Sequence, residues 1–168
     1  MRLKSLIFNP MSDDTQFPWQ DSAVIRHSQR LLRSFQHWTG KVLLDADGEP
    51  VEIARALFEA PFFLASHSME ENPIYNYGNR RALELWQLDW EQFTKLPSRN
   101  TTEPADRAER ECLLTQTKTQ GVGNWQGVRI SSTGKRFFVE DGIIWNVLDE
   151  RNQMCGQAAT FSKWTLLS

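Results

Sequence analysis

The chain has 168 residues, enough to bury one core but short for two substantial domains. With 40% hydrophobic residues it is too apolar for a fully disordered polymer, and its 19 basic and 21 acidic residues are mixed along the chain. The formal charge of -2 without a like-charged run argues against nonspecific nucleic-acid binding, and no apolar segment approaches the roughly 18 residues of a membrane span.

Seven Trp and ten Phe demand a large core, an interface or a pocket. Cys112 and Cys155 stand far apart with only three His in the chain, so neither a disulfide framework nor zinc spacing is present. They read as reduced thiols. The first residues, MRLKSLIFNPMSDD, lack an apolar segment long enough for a secretory signal, so a cytoplasmic protein with no membrane partner is expected.

Residues 1–20 are expected to form a flexible N-terminal arm, and 21–168 the folded domain. From Asp21, the apolar Val24, Leu31, Phe35 and Trp38 recur at helical spacing, which predicts an amphipathic helix of about 17 residues. Asp21 or Ser22 would cap its start and Gly40 its end. Asp45, Asp47, Gly48 and Pro50 mark a turn before a short helical segment from Val51 to Phe58.

After Pro61 the stretch FFLASHSM reads as a strand, and Glu70, Glu71, Asn72 and Pro73 as the turn into a second strand from Ile74 to Tyr77. Gly78 supplies backbone freedom at the exit. Asn79 is suited to cap a helix starting at Arg80, and Asp89 a shorter one through Phe93. Beyond the loop of Pro97 to Thr102, a long helix opens near Pro104. Ala105, Ala108, Cys112 and Thr115 trace a small-residue face on it, beside Leu113 and Leu114.

From Trp125 the period becomes two. Val128 and Ile130 share one face of a strand, and Ser132, Thr133 and Gly134 form a turn. Phe137, Val139, Ile143, Trp145 and Val147 share a parity across Gly142, where a bulge would shift the register. A last strand is expected from Met154 to Trp164.

This order resembles a PAS domain, and FFLASHSMEENPIYNYGNRRALELW, LPSR, GVRISSTGKRF and GQAATF resemble the MEKHLA domain family in particular. The resemblance spans Asp21 to Trp164. It implies an α+β fold: a five-stranded antiparallel sheet with helices on one side and an N-terminal amphipathic helix. It also implies a sensory or regulatory module, with a ligand-free dimerisation or protein-interaction module as the alternative. The family includes domains at the end of plant homeodomain–leucine-zipper regulators, but this chain has neither element, so DNA binding is not carried over. Photosensory flavin-binding PAS proteins carry Asn-Cys-Arg-Phe, which is absent, and no His lies between Glu103 and Gln120 to serve as a haem ligand. No cofactor is therefore assigned.

In such a fold, the expected pocket residues are Phe63, Ala65, Tyr75, Leu83, Trp86 and Phe93 from the first half. Val128, Phe138, Ile143, Trp145 and Ala159 complete the set. Aromatic walls interleaved with small Ala65 and Ala159 suit a small aromatic or apolar ligand, although the same residues serve equally as a solid core. His67 has no carboxylate or thiol partner in sequence, and Ser66 and Ser68 point away from its face of the strand, so catalysis is disfavoured. The stripe of Leu31, Phe35 and Trp38 is expected to cover its own sheet or to pair with a second subunit, which makes a homodimer a candidate assembly.

Overall fold

The computed structural model describes residues 17–168. Helix α1, Ser22–Thr39, begins where the Asp21 side chain accepts from the Ala23 amide and ends at Gly40, whose φ of 72° is left-handed. That conformation is open to glycine at no steric cost. α2, Pro50–Phe58, starts with proline in its first turn and a reciprocal cap between Glu49 and Glu52.

The sheet is antiparallel. Its strands are β1, Phe63–His67; β2, Tyr75–Gly78; β3, Val122–Ile130; β4, Arg136–Leu148; β5, Met154–Phe161; and β6, Trp164–Leu166. The main path runs β2-β1-β5-β4-β3, with β6 pairing the first part of β4. The expected final strand thus breaks after Phe161, and its tail becomes a separate sixth strand.

Between β2 and β3 lie α3, Arg80–Trp86; α4, Trp90–Phe93; and α5, Arg107–Gln120. Asn79 makes the passage from β2 to α3. Its Oδ1 accepts from the amides of Ala82 and Leu64, while Nδ2 donates to the carbonyls of Phe62 and Leu57. Wholly buried, this one side chain both caps α3 and ties it to β1. Beside it Phe93 lies so close to Gly78 that a Cβ there would sit 2.5 Å from the ring. The order strand, glycine, asparagine, helix therefore exists to let the helical layer fold back onto the sheet.

Two cores sit on the two faces. The inner one gathers Phe63, Tyr75, Trp86, Phe93, Phe137 and Phe161 beneath α3, α4 and α5. The outer one joins Leu64, Tyr77, Trp145 and Val147 to Leu31, Phe35 and Leu57 of α1 and α2. The apolar stripe of α1 is thus covered by its own sheet. Polar contacts continue along the same helix face: the His27 ring meets Ser66 Oγ at 2.7 Å, Ser34 Oγ accepts from the Leu148 amide at 2.7 Å, and Trp38 Nε1 donates to the Asn146 carbonyl at 2.8 Å.

Strand β4 changes face midway. Trp125 pairs Gly142 but Gly127 pairs Val139, so β4 spends one residue more than β3 over this interval. The bulge reverses the parity: Phe137 and Val139 face the inner core, Trp145 and Val147 the outer. The bulge expected at Gly142 is present, and it keeps the shared sequence parity of these residues from becoming a common face.

Two further placements bear on the ends and the helical layer of the fold. Residues 1–16 of the expected arm lie outside the described residues, but Pro18–Gln20 form a turn of 3-10 helix against α1 and α2, and Arg55 stacks over Trp19 at 5.3 Å. Among the described residues, ordered helical structure thus begins at Pro18. On α5 the small residues Ala108, Cys112 and Thr115 are exposed, and the buried positions are Arg110 and Thr117.

Candidate functional site

Under α5 the inner face of the sheet encloses a cavity of about 50 Å³. Phe63 and Ala65 of β1, Tyr75 of β2, Trp86 of α3, and Ala159 and Phe161 of β5 form its apolar walls. The rings are closely fitted: Phe63 stacks on Phe161 with centroids 4.2 Å apart, and Trp86 meets Phe63 and Phe137 at 5.0 Å each.

One side of this cavity is polar. Arg110 of α5 is 7% exposed; its Nη2 donates to Ser98 Oγ at 2.6 Å, and Nη1 has no hydrogen-bond partner. The Glu111 carboxylate stands 3.7 Å from Nη1, too far for a hydrogen bond, and is itself largely exposed. Thr101 Oγ1 gives its proton to the Ser98 carbonyl, so the Tyr75 hydroxyl, 3.2 Å away, donates to Thr101. Arg129 of β3 stacks over Trp125 at 4.2 Å, and its Nη1 donates to the neighbouring Val128 carbonyl.

Burial dominates the electrostatics here. It lowers the Arg129 guanidinium to a pKa of about 10 and pushes Arg110 down as well; nearby Arg110 adds repulsion to Arg129. His67 is held at about 4 by burial, against the bond from its ring to the Ser68 carbonyl and with help from Arg110. It is therefore neutral at neutral pH. The Trp86 indole N–H is a second buried donor without a partner on the cavity wall.

Beyond Arg110, Leu113, Trp125 and Arg129 lies an open cleft of about 940 Å³ between α5 and the β3–β4 hairpin. These four residues line both spaces, so they form the partition between cleft and cavity. Gly142 belongs to the same arrangement: a Cβ there would lie 2.4 Å from the Trp125 indole.

The expected pocket residues divide by position. Phe63, Ala65, Tyr75, Trp86 and Ala159 line the cavity. Phe93 stacks behind Tyr75 at 4.4 Å, and Leu83 packs on the same core. Val128 borders the open cleft, and Ile143 borders it while packing on the outer core. Phe138 pairs Val128 on the face opposite Phe137, and Trp145 packs against α1, so neither meets the cavity. The β4 bulge accounts for Ile143 and Trp145, since it turns the second half of the strand over. Val128 and Phe138 are cross-strand partners on the wrong parity for the inner core. Arg110 and Arg129, 19 positions apart on a helix and a strand, carry no sequence signal that joins them.

Behind the cavity, buried amides connect α5 to α1. Gln157 Nε2 donates to the Leu114 carbonyl and to Asn146 Oδ1, Asn146 Nδ2 donates to the Lys118 carbonyl, and the Asn146 carbonyl accepts from Trp38. Both amides are nearly inaccessible, so their hydrogen bonds are part of the core.

Among solved structures, the chain is similar to the PAS domain of a protein from Colwellia psychrerythraea, with a TM-score of 0.57 and 15% identity over 68% of this chain and 92% of that one. A light-oxygen-voltage domain studied with a flavin analogue aligns at a TM-score of 0.55 and 13% identity, covering 69% and 84%. The dark structure of the blue-light photoreceptor Aureochrome1 LOV aligns at 0.50 and 14%, covering 76% and 89%. At such identities the likeness is one of fold. Curated proteins provide no match. The model of the MEKHLA domain matches residues 25–166, which is most of the chain, and the architecture is that of PAS domains; the chain belongs to the MEKHLA domain family.

Proposed function

We propose that this chain is a sensory module whose signal is occupancy of the cavity beneath α5 by a small ligand. The observation that carries the reading is the join of an aromatic cavity to a polar corner containing an unpartnered buried donor, Arg110 Nη1. A buried donor without a partner is costly, and a ligand acceptor would relieve it. A light-oxygen-voltage domain studied with a flavin analogue has a similar fold, which supports a small molecule as the kind of ligand to test.

Output would pass through α5. A ligand that shifts Arg110 or Leu113 moves the helix whose carbonyls at Leu114 and Lys118 are held by Gln157 and Asn146, and Asn146 is bonded in turn to Trp38 of α1. This is a contiguous route from cavity to outer helix, and occupancy biases it only if it favours one arrangement of α5 over another. We place the module in the cytoplasm, with a homodimer as its candidate assembly.

A second reading is favoured by one observation: the aromatic walls close tightly around only about 50 Å³. Solid packing of this kind suits a ligand-free interaction module. Native mass spectrometry of freshly purified protein, followed by denaturing analysis of released small molecules, separates the two. A stoichiometric released compound supports the sensory reading. Bare protein, with no thermal shift across a broad panel of small acids, amides and aromatic compounds, supports the interaction module.

A further inference from the structure

We propose that Arg110 and Arg129 make the cavity selective for a small carboxylate, so that the signal is an organic acid with a short planar or apolar body. This inference rests on the ligand-binding reading above and specifies its chemistry.

Charge is the first argument. Two guanidiniums line one small cavity, and among the described residues Arg129 pairs with no carboxylate while Arg110 has only the 3.7 Å approach of exposed Glu111. Buried cations are ordinarily matched by a carboxylate or by full hydrogen bonding. Asp106 and Glu109 act on Arg129 from the cleft, but the cavity lining itself holds no carboxylate.

Hydrogen-bond polarity is the second. Two residues lining the cavity, Arg110 and Trp86, carry buried donors without a partner, Nη1 and Nε1, while neutral His67, donating from Nδ1 to the Ser68 carbonyl, keeps Nε2 as the one imidazole acceptor of the lining. The Tyr75 proton is directed to Thr101 rather than into the space. A ligand supplying acceptors is therefore complementary to both unpartnered donors. A guanidinium fork matches the planar, two-oxygen geometry of a carboxylate.

Shape is the third argument. The remaining walls, Phe63, Ala65, Ala159 and Phe161, are apolar and closely spaced around about 50 Å³, which limits the rest of the ligand to a few carbons. Access runs from the open cleft through the partition made by Leu113, Trp125 and Arg129. The stacked Arg129 can swing from Trp125 to an incoming anion without unfolding a strand, since only its side chain must move.

The test uses the full chain at constant ionic strength and compares acetate, propionate and benzoate with their amides, and with inorganic phosphate. Calorimetry and the Trp indole N–H resonances report binding. At least one acid should bind about 10- to 100-fold tighter than its amide, the ratio expected for a charge-assisted hydrogen bond, and shift the Trp86 signal. Arg110→Met should abolish the acid preference and leave weak binding of the amide. Should that variant fail to fold, Arg129→Gln reports instead, with a reduced acid preference. Equal binding of acid and amide overturns the carboxylate assignment and leaves the ligand-binding module standing. Phosphate bound tighter than every acid also overturns it. No binding by any probe overturns the carboxylate assignment, and together with bare protein in native mass spectrometry it overturns the ligand-binding module as well.

Discussion

Phe35 of α1 and Trp145 of β4 meet nearly at right angles, with ring centroids 4.9 Å apart and planes at 77°. The contact fastens the leading helix to the outer face of the sheet, where both residues are buried. Edge-to-face packing adds to the transfer of apolar area from water. Phe35→Ala should lower stability by about 3–5 kcal/mol in chemical denaturation. An unchanged midpoint would mean that α1 is not an integral cover of the sheet.

Asn79 offers a sharper test, because its four hydrogen bonds serve α3, β1 and the chain between α2 and β1 together. Asn79→Ala removes a helix cap, about 1 kcal/mol, and leaves the Leu64 amide and Phe62 carbonyl without their buried partner, about 1–3 kcal/mol more. Asn79→Asp should preserve the cap but lose both donated bonds and bury a carboxylate. Urea unfolding of both variants should give losses of at least about 2 kcal/mol. A loss below about 1 kcal/mol in Asn79→Ala would contradict the structural role.

His67 predicts a pH dependence. Its folded pKa of about 4 lies below the ordinary 6.5, so the unfolded chain binds the proton more readily. Stability from this group is complete above about 6.5 and is lost as the pH falls toward 4, by up to roughly 3 kcal/mol. His27, also held near 4 by burial and Arg30, acts in the same direction. Denaturation midpoints between pH 7 and 4.5 should fall in the wild type and fall less in His67→Gln. Parallel curves for the two would remove His67 from the account.

Ala159 stands on the cavity wall, paired with Ala65 across β1 and β5. Ala159→Leu would place three further carbons into about 50 Å³. Partial filling stabilises and overpacking costs about 1–3 kcal/mol, so unliganded stability should change by no more than that. Any thermal shift produced by a cavity ligand in the wild type should disappear. A ligand that shifts both proteins equally binds elsewhere.

The local signals were legible in the sequence because they depend on neighbours along the chain. Asp21, Asn79 and Asp89 cap the helices expected of them, Gly40 closes α1, and the stripe through Leu31 and Phe35 is buried. Each needs only a side chain near its own backbone, or a period of 3.6. The MEKHLA motifs carried the sheet order. Tertiary structure alone decided which face each half of β4 presents, since the extra residue near Gly142 is defined only by pairing with β3. That reversal moved Trp145 from the expected pocket to the partner of Phe35. The polar half of the cavity was equally hidden, because Arg110 and Arg129 come together only when α5 lies across β3, and a cation's lack of a buried partner is a property of the packed fold.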